Sequence, residues 1–281
     1  MKNWTCAALL AAAIMSLGAA EPAPTRSRGA AEALQGRLTI AGSNTMAPLV
    51  AAIAKRFQAL HPGVVIEVRA GGSARGLEDV RRGRVDVGLV SRALGAPEHD
   101  IRGLPIARDG VAVAVHRDNP VRTLDDAQVA DIYTGKLANW KQVGGRDAPI
   151  VAYRAEGWRA SSELFASYFQ VPGDAMKARP AQGEAAARLK TLEQSPDAIL
   201  YTSVSLAERA IEAGAPIRLL PAGGVAATSR NIRNGNFPIS RALTLATGER
   251  PSALAKAFIE YCGTSQITDL VVGHDFVPYL D

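Results

Sequence analysis

The stretch Leu38-Thr39-Ile40-Ala41-Gly42-Ser43-Asn44-Thr45-Met46-Ala47-Pro48-Leu49 constrains the fold more than any other part of the chain. An apolar run of strand character ends in Gly-Ser-Asn-Thr, and a helical pattern begins at Ala47-Pro48. Proline suits the first turn of a helix, where its missing N–H would have had no partner in any case. Ser, Asn and Thr ahead of it are the residue types that cap such a turn. A junction of this kind aims backbone N–H groups and polar side chains outward at the positive end of a helix, where a small anion can sit. An ordinary capped turn leaves the same trace, so this stretch alone supports both readings.

The device recurs. Val64 to Ala70 reads as a second strand and runs into Gly71-Gly72-Ser73-Ala74-Arg75-Gly76, a small-residue turn opening a helix. Val85 to Ser91 reads as a third and ends in Ser91-Arg92. Between the first two, Val50, Ile53, Phe57 and Leu60 share one helical face that stops near His61-Pro62-Gly63. Further strands are expected over Gly110 to Arg117, Ile150 to Arg154, Ala198 to Thr202, Ile217 to Pro221 and Phe237 to Ala246. Helices are expected from a Thr123 cap to about Tyr133, with Asp126 in the first turn, around Leu164, Phe165 and Phe169, and over Ser252 to Cys262. This alternation is that of an α/β protein, whose ligands bind in the crevice beside the strand ends.

Composition removes several function classes. The formal charge is +5, from 32 basic and 27 acidic residues with no Lys/Arg block, so nucleic acid is not an expected partner. The four histidines, His61, His99, His116 and His274, lack metal-ligand spacing. Gly71-Gly72-Ser73-Ala74-Arg75 fails the last position of a nucleophile elbow, and Thr134-Gly135-Lys136-Leu137 lacks the flanks of a nucleotide-binding loop. No cofactor or metal is expected, and binding is favoured over catalysis. Residues 1–20 have the form of a cleaved signal peptide: Lys2, an apolar run from Ala7 to Leu17, and Gly18-Ala19-Ala20. Residues 21–36, rich in Ala, Pro and Arg, read as a flexible leader. Loss of Cys6 with the signal peptide leaves Cys262, on one helical face with Leu254, Phe258 and Tyr261, as a small core residue. An exported product without a disulfide points to a bacterial periplasm.

Taken in order, these motifs resemble the phosphate-binding proteins of bacterial ABC transporters. The resemblance is carried by Ala41-Gly42-Ser43, Gly71-Gly72-Ser73, Asp86-Val87-Gly88 with Ser91-Arg92, and Asp109-Gly110-Val111-Ala112-Val113-Ala114-Val115. It continues through Asp118-Asn119-Pro120, Asp131-Ile132-Tyr133-Thr134-Gly135-Lys136 with Asn139-Trp140, Val143-Gly144-Gly145, and Phe237-Pro238-Ile239-Ser240-Arg241-Ala242-Leu243. It spans roughly residues 37–281. The resemblance implies an α/β, two-lobed periplasmic-binding-protein fold of type II. Lobe 1 would comprise 37–112 plus 240–281 and lobe 2 residues 113–239, with a two-strand hinge near 111–117 and 238–246. It also implies a monomer that holds inorganic phosphate or a related oxyanion between the lobes and delivers it to a membrane permease. The implied ligand groups are Ser43, Asn44, Thr45 and Ser73, with Ser91 and Arg92 beside them, and Arg154 from the second lobe. A planar guanidinium such as that of Arg154 can grip two oxyanion oxygens at once.

Two departures from the family pattern matter. The family places Ser-Gly-Thr at the helix start that follows the arginine; here the stretch is Trp158-Arg159-Ala160, or Arg159-Ala160-Ser161 with one insertion. Ser161 then keeps one hydroxyl and Arg159 adds a charge, or Arg159 faces solvent and Trp158 blocks the pocket. Some members also follow the position-91 serine with an Asp that accepts the proton of hydrogen phosphate, where this chain has Arg92. Losing one charge-assisted hydrogen bond of about 1.5–3 kcal/mol lowers phosphate-over-sulfate selectivity by roughly ten- to a hundredfold. The alternative function is a secreted oxyanion sensor or scaffold with a weakened pocket.

Overall fold

The computed structural model describes residues 34–156, 160–183 and 185–279. The expected signal peptide, the leader up to residue 33, and Trp158 and Arg159 lie outside the described residues. The chain opens with β1 (Gln35–Gly42), α1 (Ala47–Leu60), β2 (Gly63–Ala70), α2 (Ser73–Arg81) and β3 (Val87–Val90). A long β4 (Arg102–His116) crosses to the middle segment of α3 (Asp126–Thr134), β5 (Val151–Ala155), α4 (Ala160–Phe169), β6 (Arg179–Ala181), α5 (Ala185–Glu193), β7 (Ala198–Ser203), α6 (Val204–Glu212), β8 (Ile217–Leu219) and α7 (Ser229–Arg233). The chain returns through β9 (Ser240–Thr247) to α8 (Ala253–Cys262), α9 (Thr268–Gly273) and β10 (Val277–Pro278).

The strands run β2-β1-β3-β9-β4-β7-β5-β6, with β8 and β10 also paired to β4. Within the first half β1 is parallel to both β2 and β3, so the three strand ends that carry Ser43, Ser73 and Ser91 lie side by side. The sheet divides along β4. Its residues Arg102 to Gly110 pair with β9, and Val111 to Val115 pair with β7. The changeover falls at Gly110, opposite Ser240, with the Val111 amide donating to Ile239 O at 3.0 Å. Two cores follow from this division. One gathers Leu38, Ile40, Leu49, Ile53, Phe57 and Phe258 beneath α1 and α8. The other gathers Val113, Tyr133, Trp140, Phe165, Tyr201 and Phe237 around α3 and α4. Each buried side chain of this size removes enough apolar surface to contribute about 1.5–3 kcal/mol. The molecule is therefore two-lobed, with β4 and β9 crossing between the lobes.

Several expectations are corrected. β1 begins at Gln35, inside the expected leader, because Gln35 and Gly36 already pair with Gly63 and Val64 of β2. Met46 rather than a polar residue is the N-cap of α1, without a side-chain cap. Asp125 replaces Thr123 as the cap of α3: its carboxylate accepts from the Gln128 amide at 2.7 Å, and Gln128 Oε1 accepts from the Asp125 amide at 3.0 Å. The strand expected from Gly110 starts eight residues earlier at Arg102, because the polar and proline-containing run Arg102 to Asp109 masks its period and the register shifts between Pro105 and Ala107.

Candidate functional site

Two helices, one per lobe, begin at a shared cleft of about 650 Å³, a size that suits a small ligand. Asn44, Thr45, Pro48 and Asp109 line it from the first lobe, and Ala160, Ser161, Glu163, Arg188 and Ser203 from the second. The C-terminal segment Gly273 to Phe276 closes one side. The start of α1 is rigid because Leu49, Val50, Ile53 and Phe57 are buried, with the Phe57 ring edge-on to Phe258 at 5.4 Å. The start of α4 is rigid because Phe165 stacks on Tyr201 at 4.3 Å, while the Tyr201 hydroxyl donates to Ser162 Oγ at 2.9 Å. Both helices thus bring the positive end of a backbone dipole to the cleft.

The expected site residues divide into groups. Asn44, Thr45 and Ser161 meet in the cleft. Ser43 lies underneath, 2% exposed, with its amide donating to Leu89 O at 2.8 Å and its hydroxyl accepting from the Met46 amide at 3.4 Å. That approach requires Gly42: a Cβ there would stand 2.3 Å from Leu89 O, and φ is +143°. Ser73 and Ser91 hold one another, Oγ to Oγ at 3.2 Å, with the Ser91 amide donating to Ser73 Oγ at 3.1 Å. They stand outside the lining of the cleft. Arg92 is exposed and committed elsewhere, with Nη2 donating to Glu98 Oε1 at 2.8 Å and Nη1 to Ala93 O at 3.0 Å. Arg154, half-buried on β5, donates to Ala155 O at 3.2 Å and does not line the cleft. Arg159 lies outside the described residues.

The charge in the cleft comes from residues that the sequence reading did not select. Arg241 of β9 donates from Nε to Asp109 Oδ2 at 3.1 Å, from Nη1 to Glu163 Oε2 at 3.2 Å, and from Nη2 to Thr45 Oγ1 and Ala160 O at 3.2 Å each. Burial raises the Asp109 carboxyl above its ordinary value, and the facing guanidinium of Arg241 offsets only part of that rise. At the far side Arg209 Nη2 donates to Asp275 Oδ1 at 2.7 Å and the Ser203 hydroxyl donates to Asp275 O. Arg188, 6% exposed, donates to Gly183 O at 2.9 Å and also lines the cleft. Each carboxylate of the cleft thus meets an arginine, and the helix ends add positive potential. Asp109 and Arg241 were visible only as parts of longer motifs; Arg188 and Asp275 carried no signal at all. Among the described residues no three His, Cys, Asp or Glu side chains gather as metal ligands. No helix of the described residues is long and apolar enough to cross a membrane.

Comparison with known proteins agrees with this architecture. The phosphate-binding protein PstS of Bacillus subtilis is 29% identical over an alignment covering 97% of this chain and 91% of that protein. The crystal structure of an ABC-type phosphate transport receptor from Vibrio cholerae superposes with a TM-score of 0.73 at 23% identity, covering 86% of this chain and 99% of the other. PstS from Borrelia burgdorferi gives a TM-score of 0.71 at 20% identity, covering 88% and 100%. The family model for the PBP superfamily domain matches residues 23–264. With two lobes, two crossing strands and a polar cleft between them, the chain belongs to the PBP superfamily.

Proposed function

We propose that this protein captures a tetrahedral oxyanion, inorganic phosphate in the first place, and presents it to the permease of an ABC transporter outside the cytoplasmic membrane. One observation carries the reading: Asn44 and Thr45 at the start of α1 face Ser161 at the start of α4 across a single cleft. Hydroxyl and amide donors at two helix N-termini match the acceptor oxygens of an oxyanion and cost little to arrange, since both helices are anchored in separate cores. The similarity to PstS of Bacillus subtilis over nearly the whole chain supports phosphate as the ligand. Binding and release, rather than bond making, is the work such a site performs. Closure of the lobes around the anion shifts the population toward a shape that a permease can recognise.

Calorimetric titration of phosphate-stripped protein with phosphate and then sulfate tests this. Micromolar or tighter phosphate binding, weakened about tenfold or more by Thr45→Val and by Ser161→Ala, is the expected outcome. Absence of heat with both anions would turn the reading to the sensor or scaffold alternative, which Trp158-Arg159-Ala160 in place of Ser-Gly-Thr favours.

A further inference from the structure

Arg241 divides its guanidinium between the two lobes. Asp109 and Thr45 accept from it on one side, Glu163 and Ala160 O on the other. On the basis of the oxyanion reading above, we propose that Arg241 is a positioning residue that latches the first turn of α4 to the hinge and commits the Thr45 hydroxyl to donate into the cleft.

The place of Arg241 in the sheet supports the latch. It lies directly opposite Asp109 in the β4–β9 ladder, one residue from the Gly110–Ser240 changeover. Rotation about a hinge moves atoms least at the pivot, so the pair with Asp109 persists while contacts farther out are made and broken. Burial agrees with that division. The Arg241 and Asp109 side chains are 12% and 5% exposed, whereas Glu163 is 54% exposed. A solvent-facing pair contributes little alone and can open without leaving a buried charge uncompensated. Asp109 is then the fixed anchor, and Glu163 with Ala160 O is the part that releases.

The second half of the proposal follows from the chemistry of a hydroxyl. Thr45 Oγ1 accepts from Arg241 Nη2 and has a single proton of its own. Among the described residues that proton goes to no acceptor, and Thr45 lines the cleft together with Asn44 and Ser161. The guanidinium therefore leaves Thr45 free to act as a donor toward the cleft, which suits a ligand presenting bare oxygens. When α4 is latched, Ser161 stands across from that donor, so one residue sets both the separation of the two lobes and the polarity of the hydroxyl.

The test is a lobe-to-lobe distance measurement. Spin labels are placed by Ala59→Cys on α1 and Lys190→Cys on α5, both exposed, in a Cys6→Ser background. Cys262 is buried and stays unlabelled. Without phosphate, Glu163→Ala and Arg241→Lys are each expected to shift or broaden the distance distribution toward longer separations. Arg241→Lys is also expected to weaken phosphate binding by about tenfold or more, since a lysine cannot bridge the same partners. Distances matching the unsubstituted protein in both variants would overturn the latch, even with a lowered unfolding midpoint, which a purely structural arginine would give. Glu163→Ala truncates a half-exposed side chain and keeps the test sound if Arg241→Lys folds poorly. If the unsubstituted protein gives no heat with phosphate or with sulfate, the oxyanion reading falls, while the distances without anion still decide the latch.

Discussion

Cys262, the last residue of α8, lies 2% exposed on its buried face with Leu254, Phe258 and Tyr261, and burial pushes its thiol far above the ordinary range. The thiolate is the reactive form, so a disulfide-exchange reagent should leave the native protein untouched and label Cys262 only after denaturation. Rapid labelling of native protein would show that α8 opens readily. A different residue governs acid behaviour. Arg56 on α1 grips both oxygens of Asp269 on α9 at 2.6 Å each, and holds that carboxyl down to about 2. A carboxyl depressed in the folded state stabilises above its unfolded value of about 3.9, and that contribution is lost as pH falls toward 2. Asp269→Asn should therefore slightly lower the unfolding midpoint above about pH 4 and flatten its fall between about 4 and 2, so that the two curves converge near pH 2. The buried role of Cys262 was legible because its apolar neighbours repeat at helical spacing. The fate of Arg92 was not, because Glu98 reaches it through a loop without periodicity.

Among the elements, the changeover in β4 depends on one missing side chain. A Cβ at Gly110 would stand 2.2 Å from Ile232 Cδ1 and 2.7 Å from its Cγ1, and Ile232 on α7 is fully buried. Gly110→Ala must push the buried Ile232 side chain out of its place or shift α7 or β4, and overpacking of this kind costs about 1–3 kcal/mol. The expected readout is a lower denaturant midpoint with an unchanged slope; an unchanged midpoint would mean that the Ile232 side chain or α7 gives way freely. The expected elements with continuous apolar runs or strict helical spacing, such as β5, β7 and α8, stand close to where periodicity put them. The first half of β4 escaped notice because its pairing with β9 is set by tertiary contact, across a proline and a register shift. α5 also went unread, since its alanine-rich and charged segment Ala185–Glu193 shows only a thin apolar stripe.

At the scale of the whole molecule, the recurring strand-end motifs disclosed an α/β sheet with a polar site beside its strand ends, and the two lobes on either side of that site came with the family resemblance. Neither disclosed which motif members reach the cleft, since the crossing of β4 and β9 decides that, and the crossing is a property of the folded sheet. This distinction gives a prediction about the molecule as a unit. A ligand that binds only the folded, closed form stabilises it by about 2.7 kcal/mol at a hundredfold excess over its dissociation constant. For a chain of this size that corresponds to a rise of roughly 5–10 °C in the unfolding midpoint. Phosphate should produce that rise in the unsubstituted protein and in Arg92→Ala, whose guanidinium is occupied by Glu98 away from the cleft. Thr45→Val should cut it by about half or more at the same phosphate concentration, since the donor at the start of α1 is lost. A reversed pattern, with Arg92→Ala insensitive to phosphate and Thr45→Val responsive, would move the anion from the cleft to the loop after β3. Because both variants change exposed or half-exposed side chains, their midpoints without phosphate should stay close to that of the parent, and the ligand-dependent rise can be read directly from thermal scans.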